Sequence, residues 1–172
     1  SSIDAKGDVA VKADGSVTDT GDHINAEGLV NISGTHGVSV DSNIAGGKDI
    51  NVTSSKGSVE LEKNVDSKAN VTVDAKVNAA VEGNITSGND TTVTAGNSAL
   101  VNGDINSGNK VTVEAQDVTI NGEVNAEYHI LMDANNGDLN INNSVQNTNG
   151  GIEMYSKDGI ININQNVTAG GN

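Results

Sequence analysis

A pattern of apolar residues returns every 19 to 22 residues along this chain, and that period constrains the fold more than any other feature. One complete unit, residues 108–126, contains two apolar pairs, each with one polar residue between its members, followed by a single apolar residue. These are Val111 and Val113, Val118 and Ile120, and Val124. The apolar period of two predicts three short β-strands. Because each strand offers at most two apolar residues to one face, a unit is stable only when copies stack and bury those faces together.

Eight copies of the unit fill the chain. The second member of the first pair recurs as Val11, Ile32, Val52, Val73, Val93, Val113, Met132 and Met154. The third-strand residue recurs as Ile24, Ile44, Val65, Ile85, Ile105, Val124, Val145 and Val167. The second pair is clear as Val38/Val40, Val59/Leu61, Val118/Ile120, Leu139/Ile141 and Ile161/Ile163, and thinner as Ala79/Val81 and Ala99/Val101. The chain is therefore predicted to be an all-β solenoid of about eight coils with three strands per coil.

The residues between the strands indicate where the coil turns. Two positions after the first pair and after the third strand, the residue is Gly, Ala or Ser in fifteen of sixteen cases, and Asn147 is the exception. Small side chains suit corners where the interior narrows. Turn glycines such as Gly83 and Gly103 are expected to accommodate positive φ. In coil one, residues 7–27, Val17 is the only apolar residue of the second pair, and its apolar partner is missing. We therefore expect a distorted strand or an end effect there.

Composition excludes several classes of protein. The 172 residues include 26 Asn and 21 Gly but no Pro, Cys, Trp, Phe or Arg, which favours a narrow core of Val and Ile over one filled by large aromatic side chains. Without cysteine there is no disulfide framework. The formal net charge of −14 argues against binding to a phosphate backbone, which requires basic clusters. We therefore expect no nucleic-acid partner.

The order V-x-V-x-A, then V-x-I, then V-x-A/S, rich in Asn, Gly and Thr, resembles the filamentous-haemagglutinin type of repeat. Such repeats build the long right-handed parallel β-helices of bacterial exoproteins that are exported by two-partner secretion. The likeness covers nearly the whole chain. It implies a cell-surface or secreted filament, associated with the outer membrane, and an outer-membrane secretion partner. The amino-terminal secretion domain of that family is not recognisable in this segment.

The resemblance favours a structural role. We interpret residues 1–172 as a single β-helix segment, a fragment of a longer repeat shaft that projects and stiffens a distal binding or toxin region of an adhesin. Flanking coils of the same chain are its expected neighbours. One alternative is a portion of the rod that binds a host receptor or glycan, and another is the stalk of a contact-dependent toxin-delivery protein. A carbohydrate-active β-helix enzyme is less favoured, because the chain has neither Arg nor Trp.

The chain offers little that points to catalysis or to a metal. His23, His36 and His129 are expected in turns or beside strands of different coils, without the Cys or carboxylate spacing of a metal site. Glu60 and Glu62 share an outward face and can be read as a general acid and base, but a solvated strand face is the better account of them. We predict no catalytic residue, no metal ligand and no cofactor.

Two outward positions invite a functional reading. Thr72, Thr92 and Thr112 recur on successive coils as on an ice-binding face. The positions two residues further on hold Asp74, Thr94 and Glu114, so the sequence favours an ordinary hydroxyl ladder.

The second outward feature is a small apolar patch with the only two aromatic residues of the chain. Rigid, amphipathic tyrosines beside a leucine are typical of contact sites, so Tyr128, Leu131 and Tyr155 are candidates for a contact patch. The alternative is that they are exposed apolar residues of the ordinary kind, which are normal on a protein surface. Seven Asn-x-Ser/Thr sequons are candidates for glycosylation, a modification known in some adhesins of the family that the chain resembles. They lie at Asn31, Asn51, Asn70, Asn84, Asn89, Asn142 and Asn166.

The repeat also predicts a register and two open ends. We expect Ile105 and Val124 to stack in one buried column, with Thr112 facing outward. The segment begins partway into a coil, at residues 1–4, and ends directly after a third-strand motif. Both ends are therefore expected to present unpaired backbone groups towards further coils.

Overall fold

The computed structural model describes residues 1–171, which form twenty-five β-strands in three sheets. Sheet 1 holds the strands of the first apolar pairs, β2 (Val9–Ala13), β5 (Val30–Gly34), β8 (Ile50–Ser54), β11 (Val71–Ala75), β14 (Thr91–Ala95), β17 (Val111–Ala115), β20 (Ile130–Ala134) and β23 (Ile152–Ser156). Sheet 2 holds the second pairs, β3 (Ser16–Asp19), β6 (Gly37–Val40), β9 (Val59–Leu61), β12 (Asn78–Val81), β15 (Ser98–Val101), β18 (Asp117–Ile120), β21 (Leu139–Ile141) and β24 (Ile161–Ile163). Sheet 3 holds β1 (Ser2–Ala5), β4 (His23–Ala26), β7 (Asn43–Gly46), β10 (Val65–Ser67), β13 (Ile85–Ser87), β16 (Ile105–Ser107), β19 (Val124–Ala126), β22 (Val145–Asn147) and β25 (Val167–Thr168).

Every strand pairs in parallel with the equivalent strand of the next coil, so the three sheets run side by side along the whole stack. Coil one contains β2, β3 and β4, coil eight contains β23, β24 and β25, and β1 precedes coil one. The predicted fold class, a parallel β-solenoid of about eight coils, is confirmed.

The register also follows the sequence pattern. In sheet 3, Ile105 pairs with Ile85 on one side and with Val124 on the other, and all three side chains are fully buried. In sheet 1, Val113 pairs with Val93, and Thr112 points away from the core. Valine and isoleucine dominate the interior because a β-branched side chain packs well on the inner face of a narrow coil.

Coil one is more regular than expected. β3 pairs with β6 over all four residues, so the predicted distorted strand was wrong. The departure lies in one side chain, since Asp19 occupies the place that Val40 holds on coil two. The buried Ser42 hydroxyl donates a hydrogen bond to the Asp19 carboxylate, which satisfies this polar group at the edge of the core.

Small residues do line the corners, and some of them are linked by buried hydrogen bonds. The hydroxyl oxygens of Ser87 and Ser107 lie 2.9 Å apart, and that of Ser107 lies 2.7 Å from the hydroxyl of buried Thr91. The exception among the corner residues, Asn147, is only 6% exposed, and its amide donates to the backbone carbonyls of Tyr128 and Gly151. Each polar residue at a corner therefore has partners there.

The turn glycines serve a different purpose from the one predicted. Within residues 1–171, positive φ occurs only at Gly37, so the expectation of positive φ at Gly83 and Gly103 was wrong. Close stacking explains them instead. A Cβ atom on Gly103 would lie 2.0 Å from the carbonyl oxygen of Gly83 on the coil below. No larger residue fits without separating the two coils.

Candidate functional surface

Asparagine ladders join successive coils on the outside of the rod. The longest starts at the carboxylate of Glu82, directly after β12, and continues through the residue that follows each later strand of sheet 2. Asn102 donates to Glu82 at 2.7 Å, and Asn121 donates to Asn102 at 2.6 Å. Asn142 donates to Asn121 at 2.8 Å, and Asn164 donates to Asn142 at 2.7 Å. Asn102, Asn121 and Asn142 thus each donate to one coil and accept from the other, so the ladder runs without a break.

A second kind of ladder links side chains to the backbone of the next coil. Before sheet 3, the side-chain oxygen of Asn64 accepts the backbone N–H of Asn84 at 2.9 Å, and Asn84 accepts that of Asp104 at 2.8 Å. Before sheet 1, Asn70 accepts the backbone N–H of Asp90 at 3.0 Å. The turns thereby add coil-to-coil hydrogen bonds to those of the strands.

These ladders were missed by our reading of the sequence, which treated the 26 asparagines mainly as turn residues and sequons. The sequence does contain a pattern that indicates the ladders. Asn102, Asn121, Asn142 and Asn164 all stand one residue after the second apolar pair of their coils. Repetition of an amide at one fixed position is the condition for a ladder, because a carboxamide donates and accepts at once.

The outward threonines stack at one position of sheet 1, where the sequence predicts a hydroxyl ladder. Thr72 pairs with Thr92, and Thr92 pairs with Thr112, with each side chain only partly buried. At the outward position two residues further along each strand, which holds Asp74, Thr94 and Glu114, the Thr94 hydroxyl donates to the Asp74 carboxylate at 2.8 Å. This second row contains charged side chains and an internal hydrogen bond, unlike the regular double array of threonines that an ice-binding face requires.

The predicted contact patch lies on coils seven and eight. Tyr128 is 49% exposed and Tyr155 is 51% exposed, whereas Leu131 is half-buried. Glu153 lies opposite Leu131 across the β20–β23 pair. It accepts a hydrogen bond from the Tyr155 hydroxyl at 3.2 Å and lies 3.0 Å from His129. The hydrogen bond to Glu153 raises the pKa of Tyr155. A carboxylate therefore lies beside Leu131 and contacts both Tyr155 and His129.

The histidines are dispersed, as the sequence predicts. His23 pairs with Asp4 at 3.1 Å, and this hydrogen bond lowers the pKa of the Asp4 carboxyl. His36 lies 3.2 Å from the carbonyl oxygen of Asp14. Across residues 1–171, no three His, Asp or Glu side chains are placed so that they could share a metal ion.

Glu60 and Glu62 are exposed on either side of buried Leu61, as predicted. A hydrogen bond to Glu60 raises the pKa of Glu62, and the nearby charges of Glu82 and Asp41 act in the same direction. Glu62 therefore keeps its proton to a higher pH than an isolated glutamate does. Lys63 lies 3.4 Å from Asp41 and partly balances this acidic group.

Grooves run along the corners of the coils. One of about 300 Å³ lies after sheet 3 and is lined mainly by polar or small side chains, without an aromatic ring. Thr86, Asn106 and Asn125, the outward residues of three successive strands, line the groove together with Glu127. Such a lining gives a sugar ring nothing to stack on.

The seven sequons fall into two groups. In four of them the asparagine donates its Nδ2 group to a side chain on the neighbouring coil, namely Asn51, Asn70, Asn89 and Asn142. In the other three, Nδ2 makes no hydrogen bond with any described residue, and the side chain is exposed. These are Asn31, Asn84 and Asn166.

Three parallel sheets, a Val and Ile core and external amide ladders define a β-solenoid repeat protein. Residues 1–171 contain no helix that is long and apolar enough to span a membrane. A family model described as hemagglutinin repeat matches residues 1–168, and the chain belongs to that family. No curated protein and no solved structure gave a significant match. The family and the fold together fit the shaft of a filamentous adhesin.

Proposed function

We propose that this chain is a segment of the shaft of a bacterial filamentous adhesin and that it projects and stiffens a distal region. The supporting observation is the unbroken parallel pairing of all three sheets from coil to coil. Backbone hydrogen bonds point along the long axis, so tension on the rod acts on every bond of a coil junction at once. Eight coils at a strand spacing of about 4.8 Å give a length of roughly 38 Å.

External ladders support this mechanical role. Bonds such as Asn121 to Asn102 and Asn142 to Asn121 run parallel to the backbone bonds and lie outside the core. Their net worth is about 1 kcal/mol each. They stiffen the junctions without a wider core, which suits a slender rod.

The shaft is proposed to act at the cell surface or as a secreted filament, after export through an outer-membrane partner. Membership of the hemagglutinin repeat family supports this location. Further coils of the same protein are proposed to cover the last apolar columns, because Ile161 and Ile163 are 41% and 49% exposed. Their equivalents one coil earlier, Leu139 and Ile141, are fully buried.

Removal of one whole coil tests the shaft proposal. Deletion of residues 84–103 joins Gly83 to Asp104, a dipeptide like the Gly83-Asn84 that it replaces. Because coils contact only their neighbours, the variant should stay folded and shorten by about 4.8 Å in small-angle X-ray scattering. The matched control deletes only residues 84–93, which shifts the register by half a coil and should unfold the centre. If the whole-coil deletion unfolds the protein as the half-coil deletion does, the modular shaft proposal is wrong.

We propose no enzymatic activity for this segment. The grooves described lack aromatic rings, and the carboxylates are spread over several faces. Incubation of the purified protein with acidic and neutral polysaccharides should release neither reducing nor unsaturated sugar ends. Release that scales with protein concentration would overturn this proposal.

A second candidate function is binding through the contact patch, and the exposure of both tyrosines favours it. Replacement of Tyr128 and Tyr155 by Ser in the parent adhesin should lower adhesion to host cells and leave the melting temperature unchanged. Replacement of both by Phe is the control, since it keeps the rings. Equal adhesion by all three proteins would leave the segment with a purely structural role.

A further inference from the structure

Four asparagines of this chain are followed by glycine, at Asn102, Asn121, Asn136 and Asn149. This dipeptide is chemically labile, because a glycine without a side chain lets its backbone nitrogen approach the carboxamide carbon of the preceding asparagine. A rigid fold opposes the reaction when it fixes the side chain and the backbone of the asparagine. The four sites therefore need to be compared by how firmly each is held.

Three of the four side chains are held by neighbouring coils. Asn102 donates to Glu82 at 2.7 Å and accepts from Asn121 at 2.6 Å. Asn149 donates its amide to the carboxylate of Glu127. Rotation of any of these side chains towards its own backbone breaks at least one hydrogen bond.

Asn136 differs in side chain and backbone. It lies in the turn between β20 and β21, is exposed, and makes no side-chain hydrogen bond with any residue from 1 to 171. Its backbone N–H reaches the carbonyl oxygen of Gln116 only at 3.4 Å. The corresponding bond is 2.8 Å long at Asn102, Asn121 and Asn149. A longer bond is a weaker one, so the Asn136 backbone is the least restrained of the four.

We infer that Asn136 is a site of spontaneous deamidation. The backbone nitrogen of Gly137 loses its proton and bonds to Cγ of Asn136, while the bond from Cγ to Nδ2 breaks and ammonia leaves with the proton. Water then opens the five-membered imide at either carbonyl and yields an aspartyl or an isoaspartyl residue. No oxidant, cofactor or enzyme is consumed. The product adds one negative charge to a chain whose formal net charge is already −14.

Peptide mapping by mass spectrometry tests the inference on the folded chain, aged in mildly alkaline buffer and sampled over time. Deamidation at Asn136 should be about tenfold faster than at Asn102, Asn121 and Asn149, which corresponds to about 1.4 kcal/mol, the net worth of one to two hydrogen bonds. The chain aged in denaturant should lose this difference. Equal rates at all four sites in the folded chain would overturn the inference.

Two variants separate restraint from local sequence. Asn136→Gln keeps an exposed amide but disfavours the five-membered ring, so deamidation at position 136 should stop while the other three rates are unchanged. Asn102→Ser removes the acceptor of Asn121, and deamidation at Asn121 should then accelerate several-fold. If Asn121 is as slow in that variant as in the parent, hydrogen bonding is not what protects it, and the inference fails.

Discussion

Ile105 lies directly against Val124 on the next coil, paired in register in sheet 3, and neither side chain has any exposed surface. The two positions are 19 residues apart, one of the shortest steps in the chain. The column stays aligned although the coil length varies, because the corners and turns absorb the difference. Burial of this column is thus a property of the repeat and not of a local sequence.

The column allows a direct test of the register. Ile105→Asn should place an unpaired amide in a dry core and lower the free energy of unfolding by about 3 kcal/mol or more. Thr112→Asn should change it little, because Thr112 faces outward and asparagine stands at the equivalent position as Asn51. Thermal and urea denaturation of both variants measure the difference. Equal shifts of the two melting transitions would contradict this register.

The period of two within each strand and the period of about 20 between coils were enough to predict the fold. They are visible in sequence because burial of one face selects apolar residues at fixed positions. The same logic predicted the corner residues, and Asn147 stood out as the exception that the structure explains by its bonds to Tyr128 and Gly151.

Features that depend on distances between coils were harder to predict. The turn glycines look like positive-φ residues in sequence, but Gly103 is required by the approach of the Gly83 carbonyl oxygen. The hydroxyls of Ser87 and Thr91 meet only because the corner folds them together. The contact patch remains a prediction, with Tyr128 and Tyr155 placed on the surface.

The buried hydroxyl cluster of Ser87, Thr91 and Ser107 should behave as a coupled unit. Thr91→Val alone removes a bonding partner of two buried hydroxyls and should cost about 1 kcal/mol. The triple variant T91V/S87A/S107A should cost less than the sum of the three single variants, because no buried hydroxyl is left without its partner. Neighbouring coils already carry this solution, with Val111 paired to Thr91 and Ala126 paired to Ser107. Urea denaturation of the five proteins gives the coupling, and strictly additive costs would show that the hydroxyls are independent.

The carboxyl pair of Glu60 and Glu62 should make stability depend on pH. The hydrogen bond that protonated Glu62 donates to the Glu60 carboxylate raises the pKa of Glu62, so the folded state binds a proton more tightly than the unfolded state. The stabilisation is present below the ordinary Glu pKa of about 4.3 and is lost as the pH rises through the raised value. Glu62→Gln removes this titration, so its melting temperature relative to the parent should rise with pH across that window. Glu60→Gln should show the same trend. If the melting temperatures of the parent and the two variants change equally with pH, the coupling is refuted.

The sequons should differ in their capacity to accept a glycan. A transferase that acts on folded protein must draw the asparagine side chain into its own site. At Asn70 this requires loss of the bond to Asp49 at 3.1 Å and of the bond accepted from Asn89 at 2.8 Å, at a net cost of about 1 kcal/mol for each. At Asn31 and Asn84 the Nδ2 group is exposed without such a bond, so transfer there meets less resistance.

Glycopeptide mass spectrometry after treatment of the folded chain with a sequon-specific transferase measures this difference. We expect sugar at Asn31, Asn84 and Asn166, and little at the four asparagines whose Nδ2 groups join coils. The denatured chain is the control, because without the ladders all seven sequons compete on local sequence alone. Asn51→Ser offers a second control, since Asn31 should keep its occupancy when the side chain that donates to it is shortened. Occupancy of Asn70 equal to that of Asn31 in the folded chain would show that the ladders do not shield their members.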